Sequence, residues 1–219
     1  MISGGFTLRN EQRDFVEWHR GRAPYVLWAL DVDVTPIQAR SAAAARHLDG
    51  LLLPGYVRQA HVTLALCGFA ADDEPAPDEF AQAALLAAAW QVLAAGVEPF
   101  EISVGGLASF SSAPYLAVAD HQGGIARLRH HLSGPVDDGH RDDYVPHVTV
   151  GLYRDAWPLT QVLERLAAFA DDEPLVCRVE RVALMGYQPA VIGGRLQTLG
   201  EICLRRRQLS PALLTWAAT

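Results

Sequence analysis

Hydrophobic positions along the chain alternate between the period of a strand and that of a helix. Residues 25 to 32 (YVLWALDV) form a continuous apolar run ending in acidic residues, the pattern of a central strand, and IQARSAAAARHLDGLL then carries Ala and Leu at helical spacing. QAHVTLALCGF (59 to 69) returns to strand character. The polar, Pro-interrupted ADDEPAPDEF leads into a helix through AQAALLAAAWQVLAAG, which Gly96 closes.

The second half repeats the alternation. FEISVGGLASF (100 to 110) is strand-like but expected to be broken at its Gly-Gly pair, and YLAVAD (115 to 120) is a short strand. A helix fits GGIARLRHHLSG, stopped by Gly134 and Pro135. The acidic DDGHRDD leads into a predicted strand, YVPHVTVGLY (144 to 153), followed by a helix over PLTQVLERLAAFA (158 to 170). LVCRVERVALMGY and LGEICLRR close the chain as strands. Ahead of all this, NEQRDFVEWHR (10 to 20) reads as a short helix with Asn10 as N-cap and Gly21 as stop signal. The expected organisation is therefore an N-terminal helical extension, 1–23, and one α/β (α+β) domain, 24–219.

Within that order, strand, helix, strand bearing HVT, helix occurs once in each half, which points to two pseudo-symmetric lobes. Outside the motifs the halves are not visibly alike.

Composition narrows the function. With 219 residues, 50% hydrophobic and 20% charged, the chain can bury a sizeable core. A net charge of -7 and a pI near 5.6 argue against holding long nucleic acid by its backbone, while a small phosphorylated ligand stays compatible. No apolar run reaches the roughly 18 residues of a membrane helix, and the start MISGGFTLRNEQRDF carries charge where a signal peptide is apolar, so a cytoplasmic location and no membrane association are expected. Cys67, Cys177 and Cys203 are odd in number and lack C-x-x-C spacing, which predicts buried free thiols, neither disulfides nor zinc.

The chemistry-bearing signal is the motif pair. Two His-x-Thr matches exceed what random placement gives in this length, where well under one is expected, and both lie in apolar segments, HVTLAL and HVTVGL. In a strand, side chains two apart share a face. His61, Thr63 and Ala65 then share one face, as do His147, Thr149 and Gly151, with aliphatic residues anchoring the other; the small third residue would leave room for a ligand. Facing each other, such strands would offer a base, an acid and hydroxyl donors to one phosphate, the set that phosphodiester cleavage needs. A single such motif is more simply a packed pair; two matched copies favour catalysis.

At these residues the chain resembles the two-histidine (2H) phosphoesterase superfamily, which includes 2'-5' RNA ligase-like proteins and cyclic nucleotide phosphodiesterases. HVTL at 61 to 64 and HVTV at 147 to 150 both satisfy its motif, and the layout agrees over about residues 24 to 204. The resemblance implies a cleft between two lobes, acid-base chemistry by His61 and His147 without metal or other cofactor, and phosphate binding by Thr63 and Thr149. It also implies a basic residue after the second motif, for which Arg154 is the nearest candidate. The expected ligand is a small cyclic nucleotide or an RNA-end cyclic phosphate, handled by a monomer.

Other positions are weaker. Arg58 could reach a phosphate but is more simply a solvated strand-end arginine. Tyr153 shares the parity of His147 and Thr149 and could stack on a base. His130 and His131 diverge on a helix, and His19, His47, His121 and His140 lack ligand spacing and are expected at the surface. The cluster Asp137, Asp138, Asp142 and Asp143 reads as a solvated loop. Two rival functions remain: reversible 2'-5' RNA ligation, which needs a longer nucleic-acid surface, and a phosphate-binding module without turnover, which would tolerate loss of either histidine.

Overall fold

The computed structural model describes residues 5–71, 74–133, 144–171 and 173–217. The acidic loop at 137–143 and the expected helix stop at Gly134 and Pro135 lie outside the described residues. Among the described residues, ten strands form two sheets. In chain order the elements are α1 (Val16–His19), β1 (Tyr25–Asp31), α2 (Thr35–His47), β2 (His61–Ala70), β3 (Glu79–Phe80), α3 (Gln82–Ala94), β4 (Phe100–Ser109) and β5 (Pro114–Ala119). They continue with α4 (Gly124–Leu132), β6 (His147–Thr149), α5 (Leu159–Ala167), β7 (Leu175–Val179), β8 (Arg181–Tyr187), β9 (Gln197–Cys203), β10 (Gln208–Leu209) and α6 (Pro211–Trp216). The sheets run β10-β9-β8-β1-β2-β3 and β6-β5-β4-β7, giving the mixed α+β architecture of two lobes.

Each lobe is built on the same unit, two antiparallel strands with a helix between them: β1-α2-β2 and β5-α4-β6. The helices are exchanged. α4 packs on β2 and α3 of the other lobe. α2 sends the buried Arg40 guanidinium to the carbonyls of Val104 on β4 and Glu173 and to the Asp171 carboxylate, and its end contacts α5 through His47 and Arg165. One apolar cluster consequently joins both sheets, with Val62 and Leu64 of β2 beside Val148, Val104 and Leu128.

Local chemistry explains the elements. Leu85, Ala89 and Val92 recur at helical spacing on α3, and Ile125, Leu128 and Leu132 do so on α4. α4 begins where the Asp120 carboxylate accepts from the Gly124 and Ile125 amides. Gly124 lies so close to Phe100 that a Cβ would sit 2.3 Å from the ring, which only glycine avoids.

Several expectations need correction. The Gly-Gly pair at 105 and 106 does not break β4; Gly106, at φ +74, absorbs a register shift between Val104 and Leu107, so the strand bulges and continues. The run 175–187 is two strands in different sheets, divided at Glu180. The predicted strand over 144–153 is ordered as β only at His147–Thr149. α1 is a single turn, and Asn10 caps nothing: its side-chain amide donates to the carbonyls of Ser112 (2.9 Å) and Tyr153 (3.0 Å). His19 is buried rather than exposed, its Nε2 against Asp14 at 2.5 Å. Cys67 and Cys177 are buried free thiols, whereas Cys203 is half-buried.

Arg40, itself buried, bridges the lobes, so Arg40→Ala should destabilise the fold by about 2 to 4 kcal/mol. Urea unfolding would show a lower midpoint at unchanged m-value. An unchanged midpoint would mean that apolar packing alone joins the lobes.

Candidate active site

The motif on β2 starts where that strand leaves the segment 54–60, and the motif on β6 sits on the edge of the other sheet. The two strands contact each other. Two polar groups fix that approach: the Tyr144 hydroxyl, three residues before His147, donates to the Thr63 carbonyl at 2.7 Å, and the Arg129 guanidinium, stacked on the Tyr144 ring at 3.6 Å, donates to the Leu64 carbonyl. In register, His61 is opposite Asp31 and Thr63 opposite Ala29; His147 is opposite Ala117 and Thr149 opposite Tyr115. Thr63 and Thr149 are half-buried, while Val62 and Val148 behind them are fully buried.

Both imidazoles are held in the same way. His61 Nδ1 meets the Gln59 carbonyl at 2.8 Å and His147 Nδ1 meets the Val145 carbonyl at 2.8 Å, each two residues upstream. A carbonyl only accepts, so Nδ1 carries the hydrogen in both rings and Nε2 is the nitrogen free for proton transfer. Two motifs from different sheets thus present equivalent nitrogens.

Their environments differ. His61, 8% exposed, has its pKa pushed down to about 4, first by burial and then by the positive charges of Arg58 and His147. His147 is shifted down as well, by burial, against a backbone hydrogen bond that favours its charged form. It is walled by aromatic rings: Phe110 meets it edge-on at 4.8 Å, Tyr115 lies at 5.4 Å, and Phe110 stacks on Tyr115 at 4.3 Å. The charge of His147 is felt at His61, in keeping with the contact between β2 and β6.

Two further groups lie beside the motifs. The Arg58 guanidinium lies over the Tyr187 ring at 4.3 Å while its Nε donates to the Gly194 carbonyl at 3.1 Å, which fixes a cation whose charge is felt at His61. The Tyr56 hydroxyl is in hydrogen-bonding reach of Thr149, and burial holds its phenol protonated well above the usual range, partly countered by Arg58. Sequence reasoning missed Tyr56, Phe110, Tyr115 and Tyr187. Tyr115 reaches the site through its pairing opposite Thr149, which no local pattern reveals.

Two sequence-derived candidates, Tyr153 and Arg154, follow the end of β6. Tyr153 is fully buried among Leu48, Leu51, Val162 and Leu166 with its hydroxyl 2.6 Å from Ser109 Oγ, so it cannot stack on a ligand; the chain turns after Thr149 and strand parity no longer applies. Arg154 is exposed, 5.7 Å from the Trp157 ring centroid, and borders a cavity of about 300 Å³ together with Pro54, Gly151 and the Tyr56 that reaches Thr149. Neither small residue after the motifs opens onto the cleft: Ala65 is 1% exposed, and a Cβ on Gly151 would lie 3.0 Å from Leu52 Cδ1. Gly151 makes room for packing. Among the described residues no group of three or more His, Cys, Asp or Glu is arranged to hold a metal, and no helix is long and apolar enough to cross a membrane.

The family model of the 2'-5' RNA ligase superfamily matches residues 30–190, well over half of the chain and inclusive of both motifs. Among solved structures, TT0787 of Thermus thermophilus is similar with a TM-score of 0.56 at 17% identity, over 83% of this chain and 98% of that one. E. coli LigT complexed with 3'-AMP is similar with a TM-score of 0.51 at 15% identity, over 84% of this chain and 98% of that one. LigT in apo form gives 0.51 at 16% identity over the same shares. At such identities the likeness is one of fold. No curated protein matches the chain.

Burial of neutral His61 also has a stability consequence. Its folded pKa, about 4, lies below the unfolded value near 6.5, so the stabilising preference is fully present above pH 6.5 and is lost as pH falls towards 4. The loss should approach about 3 kcal/mol. Unfolding free energies measured at pH 7 and pH 4 should differ by less in His61→Gln than in the parent, and equal differences would show that His61 is solvated.

Proposed function

The chain belongs to the 2'-5' RNA ligase superfamily, and from that premise we propose that it is a phosphoesterase hydrolysing a small cyclic phosphodiester by two-histidine acid-base catalysis. The matched Nδ1-to-carbonyl bonds of His61 and His147, which leave two Nε2 atoms for one cleft, carry this reading. A 2',3'-cyclic phosphate on a nucleotide or an RNA end is the substrate class, and a 2'-phosphate the product. The LigT structure holding 3'-AMP supports a ligand of mononucleotide size.

The roles follow from the electrostatics. Arg58 and burial disfavour the imidazolium at His61 more than anything near His147 does, so His61 is the base and takes a proton from water at Nε2. His147, protonated at Nε2, gives its proton to the departing 3' oxygen as the water oxygen bonds to phosphorus and the P–O3' bond breaks. Thr63 and Thr149 donate to phosphoryl oxygens, with Tyr56 orienting the Thr149 hydroxyl. Arg58 supplies the positive charge, a role that the family resemblance suggested for Arg154.

With both pKa values depressed, kcat/KM should peak on the acid side of pH 6.5, falling below about pH 4 as His61 protonates and above the His147 limb as that residue loses its proton. The basic limb of kcat should lie higher, because a bound phosphate anion favours the imidazolium. A kcat/KM optimum above pH 7 would overturn the assignment. His61→Ala and His147→Ala should each remove most activity, with the double variant scarcely worse. Thr63→Val or Thr149→Val should cost about 10²-fold or more in rate. Turnover should survive EDTA; loss that added metal restores would reject the mechanism, and a 3'-phosphate product in phosphorus NMR would reject the orientation.

A further inference from the structure

The segment before β1 lies outside the residues that the family model matches, yet it is bonded to both lobes. At its start, Phe6 bridges Pro158, the Thr7 amide donates to the Trp157 carbonyl, and buried Thr7 Oγ1 donates to the Asp155 carbonyl at 2.9 Å while accepting from the Trp157 amide. Next, the Leu8 amide donates to the Ser111 carbonyl at 2.7 Å, and Asn10 binds the Tyr153 carbonyl with both its backbone and side-chain N–H groups. Its side-chain amide also holds the Ser112 carbonyl. At the other end, Trp18 packs on Tyr25 and Phe69 in the six-stranded lobe, Tyr25 contacts Tyr187, and Arg22 is paired with Asp78 and Glu79.

Each end of this strap is one contact removed from a side chain of the site. Ser111 and Ser112 belong to the turn that carries Phe110, whose ring edge rests on His147. Tyr187 is the platform under Arg58. We propose that the strap, residues 5–22, is a positioning element of the active site, with Asn10 clamping the Phe110 turn onto His147. Asn10 touches neither reacting group and acts through the turn: the Ser112 carbonyl accepts from both the Tyr153 amide and the Asn10 side-chain amide. A turn released from that clamp lets water reach the His147 ring. This proposal rests on the reading of His147 as a catalytic acid only for its effect on rate.

The test is Asn10→Leu in the full chain, which keeps the branched side-chain shape and removes the amide. Imidazole titrations followed by NMR without substrate should show the His147 midpoint rising by about half a pH unit or more towards its ordinary value, with His61 unmoved. The titratable groups around His147 are Tyr115 beside it and His61 and Arg58 across the cleft, and the variant changes none of them. kcat/KM on a 2',3'-cyclic nucleotide should fall about 10-fold or more. Leu213→Ala, on the buried face of α6, should lower stability without moving either midpoint. If Asn10→Leu does not fold, Leu8→Pro carries the same readouts, since it removes the amide bonded to Ser111. A folded variant with an unmoved His147 midpoint overturns the proposal. A shifted midpoint in a protein whose parent turns over no cyclic phosphodiester rejects the proposed function and leaves the strap's role standing.

Discussion

The site depends on the approach of two strands that belong to different sheets, β2 and β6. Neither sheet alone carries more than one of the two motifs. The approach is held from behind by apolar packing, since Val62, Leu64 and Val148 share one core, and from the side by the Tyr144 hydroxyl and Arg129 guanidinium on successive carbonyls of β2. Exchange of α2 and α4 between the lobes makes the approach part of the core, so the cleft cannot open freely without exposing apolar surface. Arg40 adds a buried polar tie on the far side.

Burial then sets the electrostatics. Both histidines sit where a charged ring is disfavoured, and Arg58 deepens that preference at His61. A cleft tuned in this way has unfavourable positive charge until an anion enters. Under the proposed function a substrate phosphate supplies the missing negative charge, so that its binding and the protonation of His147 would be coupled. Tyr56 and the aromatic wall of Phe110 and Tyr115 serve the same end by excluding water from one side of the site, and the N-terminal strap holds that wall in place from outside the family-matched region.

Much of this was legible in advance. Strand and helix periods located most of the elements, because burial of one face writes a period of two or of about 3.6 into the chain. The two HVT segments disclosed their polar and apolar faces for the same reason. Legibility ended where that period ended: after Thr149 the chain turns, so parity put Tyr153 in the cleft when it is buried against Leu48, and put Gly151 beside a ligand when it makes room for Leu52. Gly106 looked like a break because the sequence does not distinguish a positive-φ bulge from a stop. Asn10 looked like a helix cap because capping and bonding distant carbonyls draw on the same short polar side chain.

The sequence by itself determined the element order, the duplicated motif and the chemistry it could support, all of which are local properties of residue type and spacing. Only the tertiary structure decided which groups surround the two imidazoles. Arg58, Tyr56, Tyr115 and the strap reach the cleft through pairing register, helix exchange and loop packing between residues far apart in the chain. Those contacts depend on the joint fit of many side chains in one core, which leaves no periodic trace in the sequence around any one of them.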